Sequence, residues 1–351
     1  MAAAGPTLQE LSERAARAEI PLHALVELTW ACNLRCEHCY LPPSATHAEL
    51  STEDWQRVLA ELAAEGCLFL TFTGGEFLQR QDWFTLASYA RTLGFGLRLF
   101  SNGTLITDAV AEQMAALRPL GVDLSLLGGT AGTHDAITRM PGAFDRMVAG
   151  ARALRARKVP VMLKTVLMQR NVAEHQAMRA LAERLDCQIY FDIEVTPRND
   201  GDPGPTFLCA TGSAAVEAAR CQIYQGPRAL RPTSPADRET LLTCGPCRAG
   251  RNTCHVAPNG DVSPCTQWVE PVGNLRVTSF RKIWRQSPVL LRLRRITLAD
   301  LTDCARCQFL DACSPCLALS LLENGNWAGP APTKCRSAQV RARALVNPDG
   351  Q

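Results

Sequence analysis

The 351-residue chain has no apolar run long enough to cross a bilayer. It also lacks an apolar run at its start: "MAAAGPTLQELSERAARAEI" places charges where a secretory signal would need hydrocarbon. These two absences predict a cytoplasmic protein with no membrane partner. No sign of charge dominates, since 37 Lys and Arg stand against 34 Asp and Glu, a net of +3. So weak a field does not hold nucleic acid, and no nucleic-acid partner is expected. Internal repeats and low-complexity segments are absent too, which excludes a solenoid or a tether.

What the chain has in excess is cysteine, 16 residues of it. Thiols stay reduced in the cytoplasm, so metal or cluster ligation is expected rather than disulfides. Cys32, Cys36 and Cys39 stand together near the start. Cys67, Cys187, Cys209 and Cys221 are scattered and read as buried or incidental. Nine more fall between Cys244 and Cys335.

Between these groups lie the Pro- and Gly-rich segments "TPRNDGDPGP" and "GPRALRPTSPAD". The length and a balance of 46% hydrophobic and 20% charged residues fit one large and one small domain. The expected division is an extension over 1–22, a core over 23–200, a linker over 201–240, a cysteine-rich domain over 241–340 and a tail over 341–351.

The first two thirds alternate strand and helix signals. "HALVELT" reads as a strand. "STEDWQRVLAELAAEG" reads as a helix capped by Ser51 or Thr52, stopped by Gly66, with Trp55, Val58, Leu59 and Leu62 on one face. Five further strands follow, "CLFLTFT", "GLRLFSN", "VDLSLL", "VPVMLKTVL" and "CQIYFDIEV", each separated from the next by a helical pattern. Such alternation argues an α/β fold with a parallel sheet, open or curled into a partial barrel. Its functional loops belong at the carboxyl ends of the strands. The last third does not alternate. "CHVAPNGDVSPC" looks like a hairpin on a two-residue Asn259-Gly260 turn, and "RVTSFRKIWRQSPVLLRLRRI" is basic. That basic stretch reads as a solvated helix face or as a dock for an acidic peptide.

"WACNLRCEHCY" follows the first strand with the spacing C-x3-C-x2-C. Three thiolates can hold three irons of a [4Fe–4S] cube and leave the fourth open. A partial zinc site is the competing reading. Beyond it, "TFTGGE" ends the second strand, "SNG" the third and Ser125 the fourth, with Arg139 after it in "HDAITRMPGAFD".

In these features the sequence resembles the radical S-adenosylmethionine (SAM) enzymes over roughly residues 24–200. The resemblance implies a partial (β/α)6 barrel of the TIM type. It implies that Cys32, Cys36 and Cys39 hold a SAM-binding [4Fe–4S] cluster. Gly74, Gly75 and Glu76 would meet the SAM amino group, Ser101 and Asn102 the ribose side, and Ser125 and Arg139 the carboxylate. Three positions depart from the family pattern: His38 before the third cysteine, Phe77 after Gly-Gly-Glu, and Leu127 in place of an aspartate.

The tail reads Cys247-x12-Gly260-x4-Cys265, then Cys304-x2-Cys307-x5-Cys313-x2-Cys316, then Cys335. It resembles the SPASM domain of peptide- and protein-modifying radical SAM enzymes, with two residues between Cys313 and Cys316 where that family has three. The resemblance implies two auxiliary [4Fe–4S] clusters, three in all. Cys247, Cys254, Cys265 and Cys316 would hold one, with Cys244 competing for the place of Cys254. Cys304, Cys307, Cys313 and Cys335 would hold the other.

The expected function is that of a maturase. It would cleave SAM to a 5′-deoxyadenosyl radical and oxidatively modify, by crosslinking, a ribosomally made peptide. The implied partners are a peptide or protein substrate and a flavodoxin- or ferredoxin-type reductant. Only about twenty residues precede the first strand, which suggests a separate leader-peptide recognition protein. Two alternatives are anaerobic sulfatase maturation and a non-catalytic iron–sulfur electron carrier. Thr266 stands where sulfatase-maturing relatives carry an aspartate base. Glu76, Ser125 and Arg139 speak against a mere carrier. The catalytic base or hydrogen donor is not identified by the sequence.

Overall fold

The computed structural model describes residues 7–43, 48–223 and 235–346. Six strands, β1 (His23–Glu27), β2 (Phe69–Thr73), β3 (Gly96–Ser101), β4 (Gly121–Ser125), β5 (Val161–Val166) and β6 (Gln188–Asp192), pair in parallel and in sequence order. The helices that return between them begin after α1 (Leu8–Arg17). They are α2 (Thr52–Ala64), α3 (Trp83–Thr92), α4 (Asp108–Ala116), α5 (Ala131–Thr138), α6 (Ala143–Ala156) and α7 (His175–Arg184). This is the expected α/β architecture with a parallel sheet, open along β6. No helix among the described residues is long and apolar enough to cross a membrane.

Local chemistry accounts for the elements. Ser51 caps α2 through a reciprocal pair with Asp54, and Gly66 beyond its end takes φ +84°. Trp55, Val58, Leu59 and Leu62 are all fully buried, as their helical spacing requires. They pack on one face of the sheet, where Ala24, Val26, Leu70, Phe72, Leu97 and Leu99 alternate out of the strands.

The opposite face is polar. His23 bonds Thr71 at 2.9 Å, and Asp123 takes both Arg98 and, at 2.8 Å, Lys164. A sheet lined by charge on its inner side and by hydrocarbon outside encloses a polar interior rather than a second core.

The C-terminal part continues the same sheet. β7 (Thr253–Val256) pairs in parallel with β1, followed by β8 (Asp261–Ser263) and β9 (Gly273–Asn274) in antiparallel order. The hairpin is present, but its turn differs from the expected two-residue form. Ala257 pairs with Asp261, the N–H of Gly260 bonds the Ala257 carbonyl at 2.9 Å, and Gly260 takes φ +89°. This is a three-residue loop in which the glycine alone carries the left-handed conformation.

The segment 201–240 is not a bare linker. It contains α8 (Gly212–Ile223) and the start of α9 (Pro235–Thr243). The basic stretch forms α10 (Phe280–Gln286) and α11 (Pro288–Arg295), split at Pro288, which cannot extend the preceding helix. Arg276, Arg281, Lys282, Arg285, Arg292 and Arg295 are exposed, as a solvated helix face requires, and two arginines of the stretch also reach acidic partners. Arg294 is buried against Glu19 at 3.0 Å and over the Trp284 ring, and Arg285 meets Glu65 at 3.2 Å. Short α12 (Thr302–Ala305), α13 (Leu317–Asn324) and α14 (Pro332–Val346) complete the chain. α14 runs through the expected 340/341 boundary, with Lys334 and Arg341 both paired to Glu194 just past β6.

Candidate functional site

The loop after β1 is fixed from three sides. Glu49 accepts from the Thr29 hydroxyl at 2.8 Å and the Trp30 N–H at 2.9 Å, and Arg80 lies 3.5 Å from its carboxylate. The N–H groups of Arg35 and Glu37 bond the Thr138 and Ile137 carbonyls at 3.1 and 3.0 Å. These carbonyls close α5 and would otherwise lack partners, so one helix end positions the cysteine loop. Asn102 donates to Asn33 at 2.9 Å and reaches the Cys32 sulfur at 3.9 Å, while the Leu34 N–H lies 3.4 Å from the same sulfur.

Cys32, Cys36 and Cys39 are partly buried. Burial pushes the Cys36 thiol up to about 12, and the neighbouring Cys39 and Cys32 push it further in the same direction. Three sulfurs this close, with N–H donors aimed at one of them, fit an iron–sulfur cluster, whose charge would hold them as thiolates.

The Gly-Gly-Glu segment explains itself in the same geometry. A Cβ on Gly74 would lie 2.3 Å from the Thr29 carbonyl oxygen, and one on Gly75 2.5 Å from those of Trp30 and Ala31. The glycines therefore first serve the approach of the cysteine loop to β2, sealed by Gly75 N–H to Thr29 at 2.8 Å and Glu76 N–H to Ala31 at 2.8 Å. Glu76 is buried and accepts from Ser101 at 3.0 Å and from the Asn102 N–H at 2.7 Å. Burial raises its carboxyl to about 7 in spite of these bonds. No cationic side chain pairs with it among the described residues, which fits a carboxylate built to receive an ammonium group.

Ser125 ends β4, half-buried and in register with Lys164 on the polar face. Arg139 caps α5 in the left-handed conformation, φ +54°, directly after the carbonyl that holds Arg35. It is exposed, beside the cysteine loop. His38 is half-buried, with its Nδ1 buried and unpartnered, and desolvation holds its imidazole down to about 4, hence neutral.

One group escaped sequence reading. Glu27, the last residue of β1, is buried against the Tyr40 hydroxyl and lies 3.3 Å from His255 Nε2 on β7. Burial alone would raise its carboxyl, but His255 and Tyr40 outweigh it and hold it below the usual value. The only sequence signal was a charged residue at an inward strand position.

In the tail, the Cys304, Cys307, Cys313 and Cys335 thiols interact with one another. Cys335 and Cys307 raise Cys304 beyond the effect of burial, and Cys304 and Cys335 add to the burial that raises Cys313. Cys247, Cys265 and Cys316 form a second group: burial pushes Cys265 up to about 12, assisted by Cys316 and Cys247.

Cys254 belongs to neither. It lies on β7 opposite Ala24, on the face turned toward the helices, where burial and Cys67 raise its thiol. A β-strand turns alternate residues to opposite faces, and the one inward here is His255. Cys254 is therefore corrected to a core residue. Cys244 is exposed three residues before Cys247, and the Arg251 guanidinium lies close enough to sense both thiols.

The radical SAM superfamily profile matches residues 26–182, and that of the SPASM iron–sulfur cluster-binding domain matches residues 247–308. The mycofactocin maturase MftC of Mycobacterium tuberculosis is 30% identical over 360 residues, 98% of this chain and 90% of its own.

The chain belongs to the radical SAM superfamily and carries a SPASM domain.

It is an enzyme of that superfamily, using SAM, a [4Fe–4S] cluster and auxiliary iron–sulfur clusters. The AdoMet-dependent heme synthase of Methanosarcina barkeri is 29% identical over 329 residues, 87% of this chain and 94% of that protein. The PqqA peptide cyclase of Gluconobacter oxydans is 30% identical over 289 residues, 78% of this chain and 79% of its own. Among solved structures, Streptococcus suis SuiB bound to S-adenosylmethionine superposes with a TM-score of 0.71 at 17% identity, covering 92% of this chain and 80% of SuiB. anSMEcpe with AdoMet and a peptide gives 0.70 at 17%, covering 93% and 98%. These two likenesses show the fold.

Proposed function

We propose that this radical SAM enzyme is a maturase that oxidatively modifies, by crosslinking, a ribosomally made peptide. The observation that carries the reading is the match along 98% of the chain to a maturase, joined by a peptide cyclase over 78%. When bound, the cluster and SAM supply a 5′-deoxyadenosyl radical able to abstract hydrogen from an unactivated carbon.

The chain's own residues do the rest. Cys32, Cys36 and Cys39 hold the cluster, and Asn102 and the Leu34 N–H orient Cys32. Glu76, kept dry by Ser101 and β3, receives the SAM ammonium, with Asn102 beside the ribose and Ser125 and Arg139 on the carboxylate. Gly74 and Gly75 set the distance between these groups. The charged inner face of the sheet, with Arg98, Lys164 and Asp123, orients a polar substrate and excludes bulk water.

Cys247, Cys265, Cys316 and Cys244 hold one auxiliary cluster, and Cys304, Cys307, Cys313 and Cys335 the other. A flavodoxin- or ferredoxin-type reductant, a separate leader-peptide recognition protein and the reducing cytoplasm complete the setting.

The similarity to a heme synthase supports a second reading, a tetrapyrrole substrate. Sulfatase maturation has less support: Thr266 offers no carboxylate, and its carbonyl is occupied by Asn199. Mass spectrometry distinguishes the readings. The reconstituted enzyme is incubated with SAM, reductant and either a short peptide encoded beside its gene or a propionate-bearing porphyrin. Loss of two hydrogens from the peptide supports the maturase. Change in the porphyrin alone supports the second reading and overturns the first.

A further inference from the structure

We propose that His175, Glu217 and Cys221 form a mononuclear site for a divalent transition metal, zinc by ligand chemistry, apart from the three cysteine groups. Their ligand atoms lie within 4.8 Å of one another. His175 opens α7, while Glu217 and Cys221 stand four apart on α8 and so share one face of that helix. Two elements distant in sequence thus present nitrogen, oxygen and sulfur to one point.

The orientation of the imidazole is the second observation. Nδ1 bonds the Val172 carbonyl at 2.9 Å, so it carries the proton. Nε2 is left with its lone pair, buried and without a hydrogen-bond partner, 3.3 Å from the Glu217 carboxylate. A carbonyl on one ring nitrogen and a free lone pair on the other is the usual posture of a metal-binding histidine.

Cys221 is buried, whereas the Glu217 side chain is 43% exposed, which gives an ion an entry path and leaves a place for water. Arg220 lies 3.7 Å from the second Glu217 oxygen, and Arg179 bonds the Cys221 thiol. Each can orient its ligand from outside while another lone pair remains for the metal. A set that includes a thiolate and an imidazole selects zinc over magnesium or calcium.

The location gives the site a consequence. α8 lies against β6, the open edge of the sheet, and against α14, whose Lys334 and Arg341 hold Glu194. A metal joining α8 to the start of α7 would fasten that edge.

The test uses the cluster-loaded enzyme, stripped with a chelator, exposed to Zn2+ and desalted. Elemental analysis is expected to find about one zinc per chain, with one sulfur in its coordination shell by X-ray absorption. His175→Ala and Cys221→Ser should abolish retention, and the half-exposed Glu217→Gln should weaken zinc binding by about tenfold or more. Iron content and the visible spectrum should stay unchanged in the variants, which shows that they fold. No retained zinc overturns the proposal. So does zinc held equally by wild type and all three variants, or zinc surrounded by three or four sulfurs, the mark of a vacated cluster site.

Discussion

The Asn199 side-chain amide donates to the Thr266 carbonyl at 3.0 Å. Its backbone N–H donates to the Tyr40 carbonyl at 2.9 Å. One residue after β6 thus joins the neighbour of Cys39 to the neighbour of Cys265, members of two different cysteine groups. Asn199→Ala removes the side-chain bond and leaves a half-buried carbonyl unpaired, at a cost of about 1 kcal/mol. The expected result is lower stability to denaturant with unchanged iron, together with more SAM cleaved per substrate modified. Unaltered stability and coupling would show that the two groups do not communicate through this residue.

Cys254 supplies the sharpest test of the tail assignment. Cys254→Ala should leave the iron content at its wild-type value and cost about 1 kcal/mol for the small cavity left among Ala24, Val256 and Cys67. Cys265→Ala or Cys316→Ala should instead remove about four irons per chain. Loss of iron in Cys254→Ala alone would restore it as a ligand.

Gly74→Ala attacks the joint between β1 and β2. The residue sits at φ +140°, and its new Cβ would collide with the Thr29 carbonyl. The atoms that must move are backbone, so the expected cost is about 3 kcal/mol or more, through strain and lost ladder bonds. Gly94, also at positive φ but with open space around it, is the control. Gly94→Ala should cost about 1 kcal/mol. Equal effects measured by chemical denaturation would contradict the close approach.

Glu76 predicts a pH dependence. Its folded carboxyl titrates near 7 against 4.5 for the ordinary group. Between those values the unfolded chain has released the proton and the folded chain still binds it, so stability falls as pH rises and levels off above 7. From pH 5.5 to 8 the SAM-free enzyme should lose about 2 kcal/mol from this group. Bound SAM should offset the loss, and Glu76→Ala should flatten the slope. Gln is no neutral substitute, because its amide would face the Asn102 or Leu78 N–H. A slope independent of both SAM and residue 76 would place the ammonium contact elsewhere.

Much of this was legible in the sequence because it is local. The α2 cap, its buried stripe and the order of six strands follow from patterns within a dozen residues. The cysteine triplet followed from spacing alone. Cys254 was misread because Cys-x6-Cys spacing says nothing about which face of a strand a thiol takes, and pairing with β1 decided that. Glu27, Tyr40 and His255 were missed since they lie more than 200 residues apart at the extremes and meet only after β7 joins β1. The ion pairs of Arg285 and Arg294 were not legible for a similar reason: their partners Glu65 and Glu19 belong to the other end of the chain.

The central claim is that the loop holding Cys32, Cys36 and Cys39 is where SAM is cleaved. Anaerobically reconstituted enzyme is mixed with SAM and a strong reductant, and 5′-deoxyadenosine is quantified beside the triple variant Cys32→Ala, Cys36→Ala, Cys39→Ala. The account predicts steady formation by the wild type and none by the variant, whose two auxiliary groups still hold about eight irons. Formation by the variant at the wild-type rate would contradict it.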